Sequence, residues 1–138
     1  MEIIALDIGT KRIGVARADS VARIPQALPL ISVDGTEFYK IEQIIHELDS
    51  EIVIAGLPRS MSGQETKESE RIRERITKLS EQLDKEIIFQ DETLTSVGAQ
   101  KIIEDSSNLF KKKNKDSLAA AIILQDYLKE SFKDGTKE

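Results

Sequence analysis

Three acidic groups in this chain stand where an apolar run meets a break. Asp7 closes the opening run MEIIALD and precedes a Gly9-Thr10-Lys11-Arg12 turn. Asp91 and Glu92 follow the apolar EIIF at 86–89, and Asp116 begins a stretch whose Leu118 to Leu124 part is apolar nearly all round. Carboxylates in such places have ordinary uses: an Asx-type turn, a solvated acidic turn, a helix cap. They have a chemical use when several converge. In open α/β sheets, sites form at the carboxyl ends of strands. If the strands ending at Asp7 and Glu92 are parallel neighbours, these acids meet at one end of the sheet, and the last helix can bring Asp116 there. Oxygen-only ligation suits Mg²⁺ or Mn²⁺. Two such ions about 3.5–4 Å apart activate a water and stabilise the leaving oxygen in phosphodiester cleavage.

The elements that must position these groups follow from periodicity. Ile3 to Leu6 reads as a short buried strand, and Ile13 to Ala16 as its hairpin partner. A third strand is expected around Ala27 to Val33, with Pro25 and Pro29 marking an edge position. Phe38, Ile41, Ile44, Ile45 and Leu48 recur at helical spacing and predict a helix near 36–49. EIVIAG at 51–56 reads as a buried strand that stops at Gly56-Leu57-Pro58. Ile72, Ile76, Leu79 and Leu83 line one face of a charged helix at about 65–83. Arg71, Arg73 and Arg75 alternate there with Glu70 and Glu74 and read as a solvated, salt-bridged face. EIIF is a further strand. Thr95 or Ser96 is placed to cap a helix through Glu104, and a last helix is expected from about Asp116 to Lys129. The order β-β-β-α-β-α-β-α-α predicts an α/β fold, a mixed sheet with helices on its faces. One domain is expected over 1–130, with a polar tail over 131–138.

Composition removes several chemistries. The 138 residues suffice for a proper core. There is no cysteine, which excludes disulfides, thiolate nucleophiles and Cys-type zinc clusters. The single histidine, His46, excludes His-rich metal sites and reads as structural or exposed. The net charge of −5 argues against a basic nucleic-acid coat protein, although local patches still bind phosphate. No apolar run approaches the ~18 residues of a membrane span, so a soluble cytoplasmic protein without a membrane partner is expected.

Four segments together resemble one family: LDIGTKRIGVA (6–16), GLPRSMSG (56–63), DETLTS (91–96) and KDSLAAAIILQDYL (115–128). In this order and chain length they are similar to the YqgF/RuvX family of RNase H-like proteins, to which Holliday-junction resolution and pre-16S ribosomal RNA cleavage are ascribed. The resemblance implies an RNase H-like fold with a mixed five-stranded sheet and helices on both faces. It implies that Asp7, Glu92 and Asp116 are the catalytic, metal-holding set, with Mg²⁺ or Mn²⁺ as cofactor. It gives Gly9 the role of letting the chain turn tightly beside Asp7 while a phosphate comes close. Lys11 and Arg12 then contact a nucleic-acid backbone, as does the basic run Lys112, Lys113 and Lys115 before Asp116. Where the family usually carries an arginine after the Asp-Glu pair this chain has Thr93, so that cation would come from elsewhere, such as Lys11 or Arg12.

The activity implied is metal-dependent phosphodiester cleavage, with 5′-end processing of pre-16S rRNA in ribosome biogenesis preferred. The alternatives are Holliday-junction resolution and a non-catalytic RNA- or ribosome-associated factor. A nucleotide-handling domain of the actin and sugar-kinase type also opens on D-x-G-T, but it needs two lobes where this length supplies one. Expected partners are structured RNA, branched DNA or ribosomal precursor particles, with the chain a monomer or weak homodimer. Aromatics make up only 4%, so recognition should rest on backbone and shape rather than stacking.

Overall fold

The computed structural model describes residues 1–58, 66–92 and 115–131. The elements are β1 (Glu2–Ile8), β2 (Arg12–Asp19), β3 (Gln26–Ser32), α1 (Glu37–Leu48), β4 (Ile52–Pro58), α2 (Lys67–Leu83), β5 (Ile87–Glu92) and α3 (Lys115–Ser131). The strands form one five-stranded sheet in the order β3-β2-β1-β4-β5. The β1–β2 and β2–β3 pairs are antiparallel, while β1–β4 and β4–β5 are parallel. The sheet is therefore mixed, with the Pro29-bearing strand at its edge. There a missing amide donor leaves no inner neighbour unsatisfied.

Strand alternation sorts the core into two layers. Ile4, Leu6 and Ile8 of β1 pack with Ile41 and Ile45 of α1 and with Ile72, Ile76 and Leu79 of α2. Ile3 and Ala5 pack with Ala120, Ile123, Leu124 and Leu128 of α3 on the opposite face. Covered on both sides, β1 has no polar face, which is why its sequence is apolar without alternation. Helix α2 begins at a capping box: Thr66 accepts from the Ser69 N–H at 3.1 Å, and the Ser69 hydroxyl accepts from the Thr66 N–H at 2.7 Å. Asp49 and Asp84 end α1 and α2 in left-handed conformation, with φ of 52° and 51°.

Two expected strand ends move outward. Gly56, Leu57 and Pro58 do not stop β4; they pair with Gln90, Asp91 and Glu92, which are themselves inside β5 rather than beyond it. Parallel pairing supplies hydrogen-bond partners that local turn propensity does not foresee, and fully buried Leu57 holds the extension in the core. Ser131 likewise belongs to α3 and not to a tail. The helix expected over 95–104 lies outside the described residues, as do 132–138.

Candidate active site

Asp7 lies one residue before the end of β1, pairs with Gly14 of β2, and is half-buried. Ile3 and Ala5 face α3, so the same alternation places Asp7 on the α3 face. The chain then turns through Gly9–Arg12. The Gly9 N–H donates to the Arg12 carbonyl at 3.0 Å, and the Lys11 carbonyl accepts from the Val33 N–H at 2.9 Å. A Cβ at Gly9 would stand 2.4 Å from the Arg12 carbonyl oxygen, so this close turn has room only for glycine. Asp7, Gly9, Thr10, Lys11 and Arg12 together line a cavity of about 230 Å³. Lys11 and Arg12 are exposed at its rim. A carboxylate thus lines the same hollow as two cations on a tight turn.

Glu92 is the last residue of β5, opposite Pro58 of β4. β1 and β5 are not direct neighbours, because β4 runs between them. Both are parallel to β4, so their carboxyl ends still point the same way. Leu6 aligns with Ala55, and Ala55 with Phe89. Two inter-strand spacings and a two-residue stagger put the Cα atoms of Asp7 and Glu92 roughly 10–12 Å apart. Asp91 is exposed and shares the parity of Phe89, which packs on the α1/α2 layer.

The third element end arrives through β2. The β2–β3 register shifts between Ile13 and Val15. The Val15 N–H donates to Oγ of fully buried Ser117 at 3.5 Å. Val15 is the register partner of Leu6, one step from the Asp7–Gly14 pair. The first turn of α3, whose second residue is Asp116, therefore seats on the sheet next to Asp7. The side chains of Glu92, Lys115 and Asp116 are outside the described set, as are Lys112 and Lys113 entirely. Among the described residues no group of three possible metal ligands occurs. The far end of α3 crosses to β5, where Gln90 donates to Glu130 at 2.8 Å. Burial, and then the charge of Glu130, raise the carboxyl of Asp126 above its ordinary range, with Lys129 opposing.

One functional residue departs from its expected role. Arg75, expected on a solvated face, donates from Nη1 to the Gly9 carbonyl at 2.6 Å. Its Nη2 is buried and has no hydrogen-bond partner among the described residues. The signal was present in the spacing. Position 75 falls at i+3 from Ile72 and i−4 from Leu79, on the buried stripe of α2, where a charged residue asks for a partner. Arg73 lies 4.6 Å from the Phe89 ring centre, while Arg71 is exposed as expected. His46 is exposed near the end of α1.

Known proteins resemble this chain along nearly its whole length. A protein of Thermoanaerobacter pseudethanolicus named "Putative pre-16S rRNA nuclease" is 38% identical over 133 residues, 93% of this chain and 96% of the relative. One of the same name from Fusobacterium nucleatum is 40% identical over 130 residues, 91% of this chain and 94% of its own. The solved structure of T. thermophilus RuvC in complex with Holliday junction substrate matches with a TM-score of 0.61 at 9% identity, covering 96% of each chain. At that identity the likeness speaks for the fold, which is RNase H-like. The family model described as "RuvX: Holliday junction resolvase" matches residues 1–130, and on that match and those relatives the chain belongs to the RuvX family.

Proposed function

We propose that this protein is a divalent-metal-dependent nuclease that hydrolyses phosphodiester bonds in the 5′ processing of precursor 16S rRNA. The observation that supports the reading is that the Asp7 end of β1 and the Glu92 end of β5 point the same way, while the first turn of α3 seats on β2 beside Asp7 through Ser117. A Cα separation of roughly 10–12 Å leaves carboxylates on Asp7 and Glu92 room to share ions between them. Asp7, Glu92 and Asp116 would hold Mg²⁺ or Mn²⁺. All-oxygen donors and the absence of cysteine suit these hard cations, which supply Lewis acidity at the scissile phosphate when bound. Lys11 and Arg12, at the rim of the adjacent hollow, would hold the substrate backbone by charge-assisted hydrogen bonds. Lys112, Lys113 and Lys115 would extend that grip.

RNA is favoured as substrate by the names of relatives at 38% and 40% identity along nearly their whole length. Four-way DNA junctions are the second reading, favoured by the family description. The test is cleavage of a precursor 16S 5′ segment and of a synthetic four-way junction, each with Mn²⁺ and with chelator. Metal-dependent cutting of the RNA, abolished in Asp7→Asn with nucleic-acid binding retained, is expected. Cutting of the junction alone would replace the RNA reading with the second one. Undiminished cleavage by Asp7→Asn would remove that carboxylate from the chemistry.

A further inference from the structure

We propose that Arg75 is a positioning residue of this site: its guanidinium anchors the Gly9 carbonyl and so holds the β1–β2 turn in the shape that receives a nucleic-acid phosphate. The inference rests on the nuclease reading for its consequence, but not for the anchoring itself. The turn follows directly on the strand that carries Asp7, and it carries Lys11 and Arg12. Three hydrogen bonds are among those that hold it. Two are backbone bonds, from Gly9 N–H to the Arg12 carbonyl and from Val33 N–H to the Lys11 carbonyl. Neither depends on side-chain identity. The third, from Arg75 Nη1 to the Gly9 carbonyl at 2.6 Å, spans 66 residues and joins the turn to α2.

The Gly9 carbonyl and the Thr10 N–H belong to one planar peptide group. Fixing the carbonyl toward Arg75 fixes the Thr10 N–H in the opposite direction, on a turn whose Gly9 and Thr10 both line the hollow beside Asp7. A cation at the carbonyl end also polarises that peptide and strengthens its N–H as a donor to an anion. Stability does not account for the residue. Nη2 is buried without a partner among the described residues, which carries a desolvation cost. An apolar side chain on the stripe of Ile72, Ile76 and Leu79 would bury there without that cost. An arginine kept on a buried stripe, with one nitrogen spent on the carbonyl beside the site and the other unpaired, fits a positioning role.

The test compares Arg75→Met with Arg75→Lys in the full chain. Among the described residues only one nitrogen of Arg75 is engaged, so lysine should restore what methionine loses. The first measurement needs no nucleic acid: hydrogen exchange at the Gly9 and Val33 amides, which are bonded within the turn, should quicken by about tenfold in Arg75→Met and stay near wild type in Arg75→Lys. The second is cleavage kinetics on the precursor RNA. KM should rise about tenfold in Arg75→Met with kcat within about threefold, because a pre-shaped turn binds substrate and transition state alike. The slope of log affinity against log salt should not change, since no phosphate contact is removed. The melting temperature of Arg75→Met should equal or exceed that of wild type. A slope flattened by about 0.7–0.9 would overturn the proposal by making Arg75 a direct phosphate ligand. So would unchanged exchange in Arg75→Met, a lysine variant as impaired as methionine, or a large fall in melting temperature with KM unmoved. If wild type itself neither binds nor cuts nucleic acid, the nuclease reading fails, and the exchange measurement still decides the anchoring.

Discussion

Gly9 shows how much a single missing Cβ can control. Its φ is unexceptional, since Gly35 is the glycine with a positive φ of 98° among the described residues. What forbids a side chain at Gly9 is space: the Arg12 carbonyl would lie 2.4 Å from the new carbon, and backbone cannot swing away like a flexible side chain. Gly9→Ala should therefore open the turn and cost about 1–3 kcal/mol, the usual range for overpacking. Chemical denaturation would read it, and an alanine variant as stable as wild type would show that the turn relaxes freely. Asp126 gives a prediction of opposite sign. Burial and Glu130 raise its pKa in the folded chain, so the fold favours the protonated form. Any stability from that preference is present below the ordinary carboxylate value of 3.8 and is lost as pH rises through the folded value. At neutral pH the ionised Asp126 is a burden. Asp126→Asn should raise the melting temperature at pH 7 by roughly 1–3 °C, a gain that shrinks as pH falls through the folded value and is gone below 3.8. A variant that is less stable at pH 7 would contradict the assignment.

At the scale of elements, two side-chain hydroxyl contacts have different consequences because of what they hold. Thr66 caps α2 at the end of a connection, and its box with Ser69 satisfies two orphan helix donors. Thr66→Ala should cost about 1 kcal/mol. Ser117 instead seats the first turn of α3 against Val15, beside the Asp7–Gly14 pair. Ser117→Ala leaves a buried N–H without its acceptor, at a cost of about 1–3 kcal/mol, and it also frees the turn that carries Asp116. The two variants should lower the melting temperature by similar amounts. Only Ser117→Ala should lower kcat, about tenfold or more, because misplacing a metal-holding group by an ångström loses alignment. Equal kcat in the two variants would mean that α3 is held in place by its apolar face alone.

For the molecule as a whole, the net charge of −5 makes nucleic-acid binding depend on local cations and salt. Replacing Lys112, Lys113 and Lys115 together by alanine should weaken binding and flatten its salt dependence by about 0.7–0.9 for each phosphate that is no longer neutralised. An unchanged slope would return the run to an ordinary solvated loop. Gathering carboxylates at one end of the sheet should also couple metal to folding. Millimolar Mn²⁺ should raise the melting temperature of wild type by mass action, and less so in Asp7→Asn. No response in wild type would argue against a metal centre there.

Much of this molecule was readable from order and periodicity. The two helices at 37–48 and 67–83 follow from apolar spacing, because burial of one helical face is a local pattern. Pro29 marked the edge strand because proline cannot donate to an inner neighbour. Three carboxylates at element ends were visible as types and positions. Which strand ends lie side by side was not, since strand order is a property of pairing between distant segments. Tertiary structure placed β4 between β1 and β5, and it carried both parallel strands through Gly56-Leu57-Pro58 and Gln90-Asp91-Glu92, where local signals suggested breaks. It also turned Arg75 from an apparent surface charge into a link between α2 and the Gly9 carbonyl. A sequence pattern records which residues tend toward water or toward the core. Which buried donor meets which acceptor 66 residues away is settled only when the layers pack and each buried polar group must find a partner.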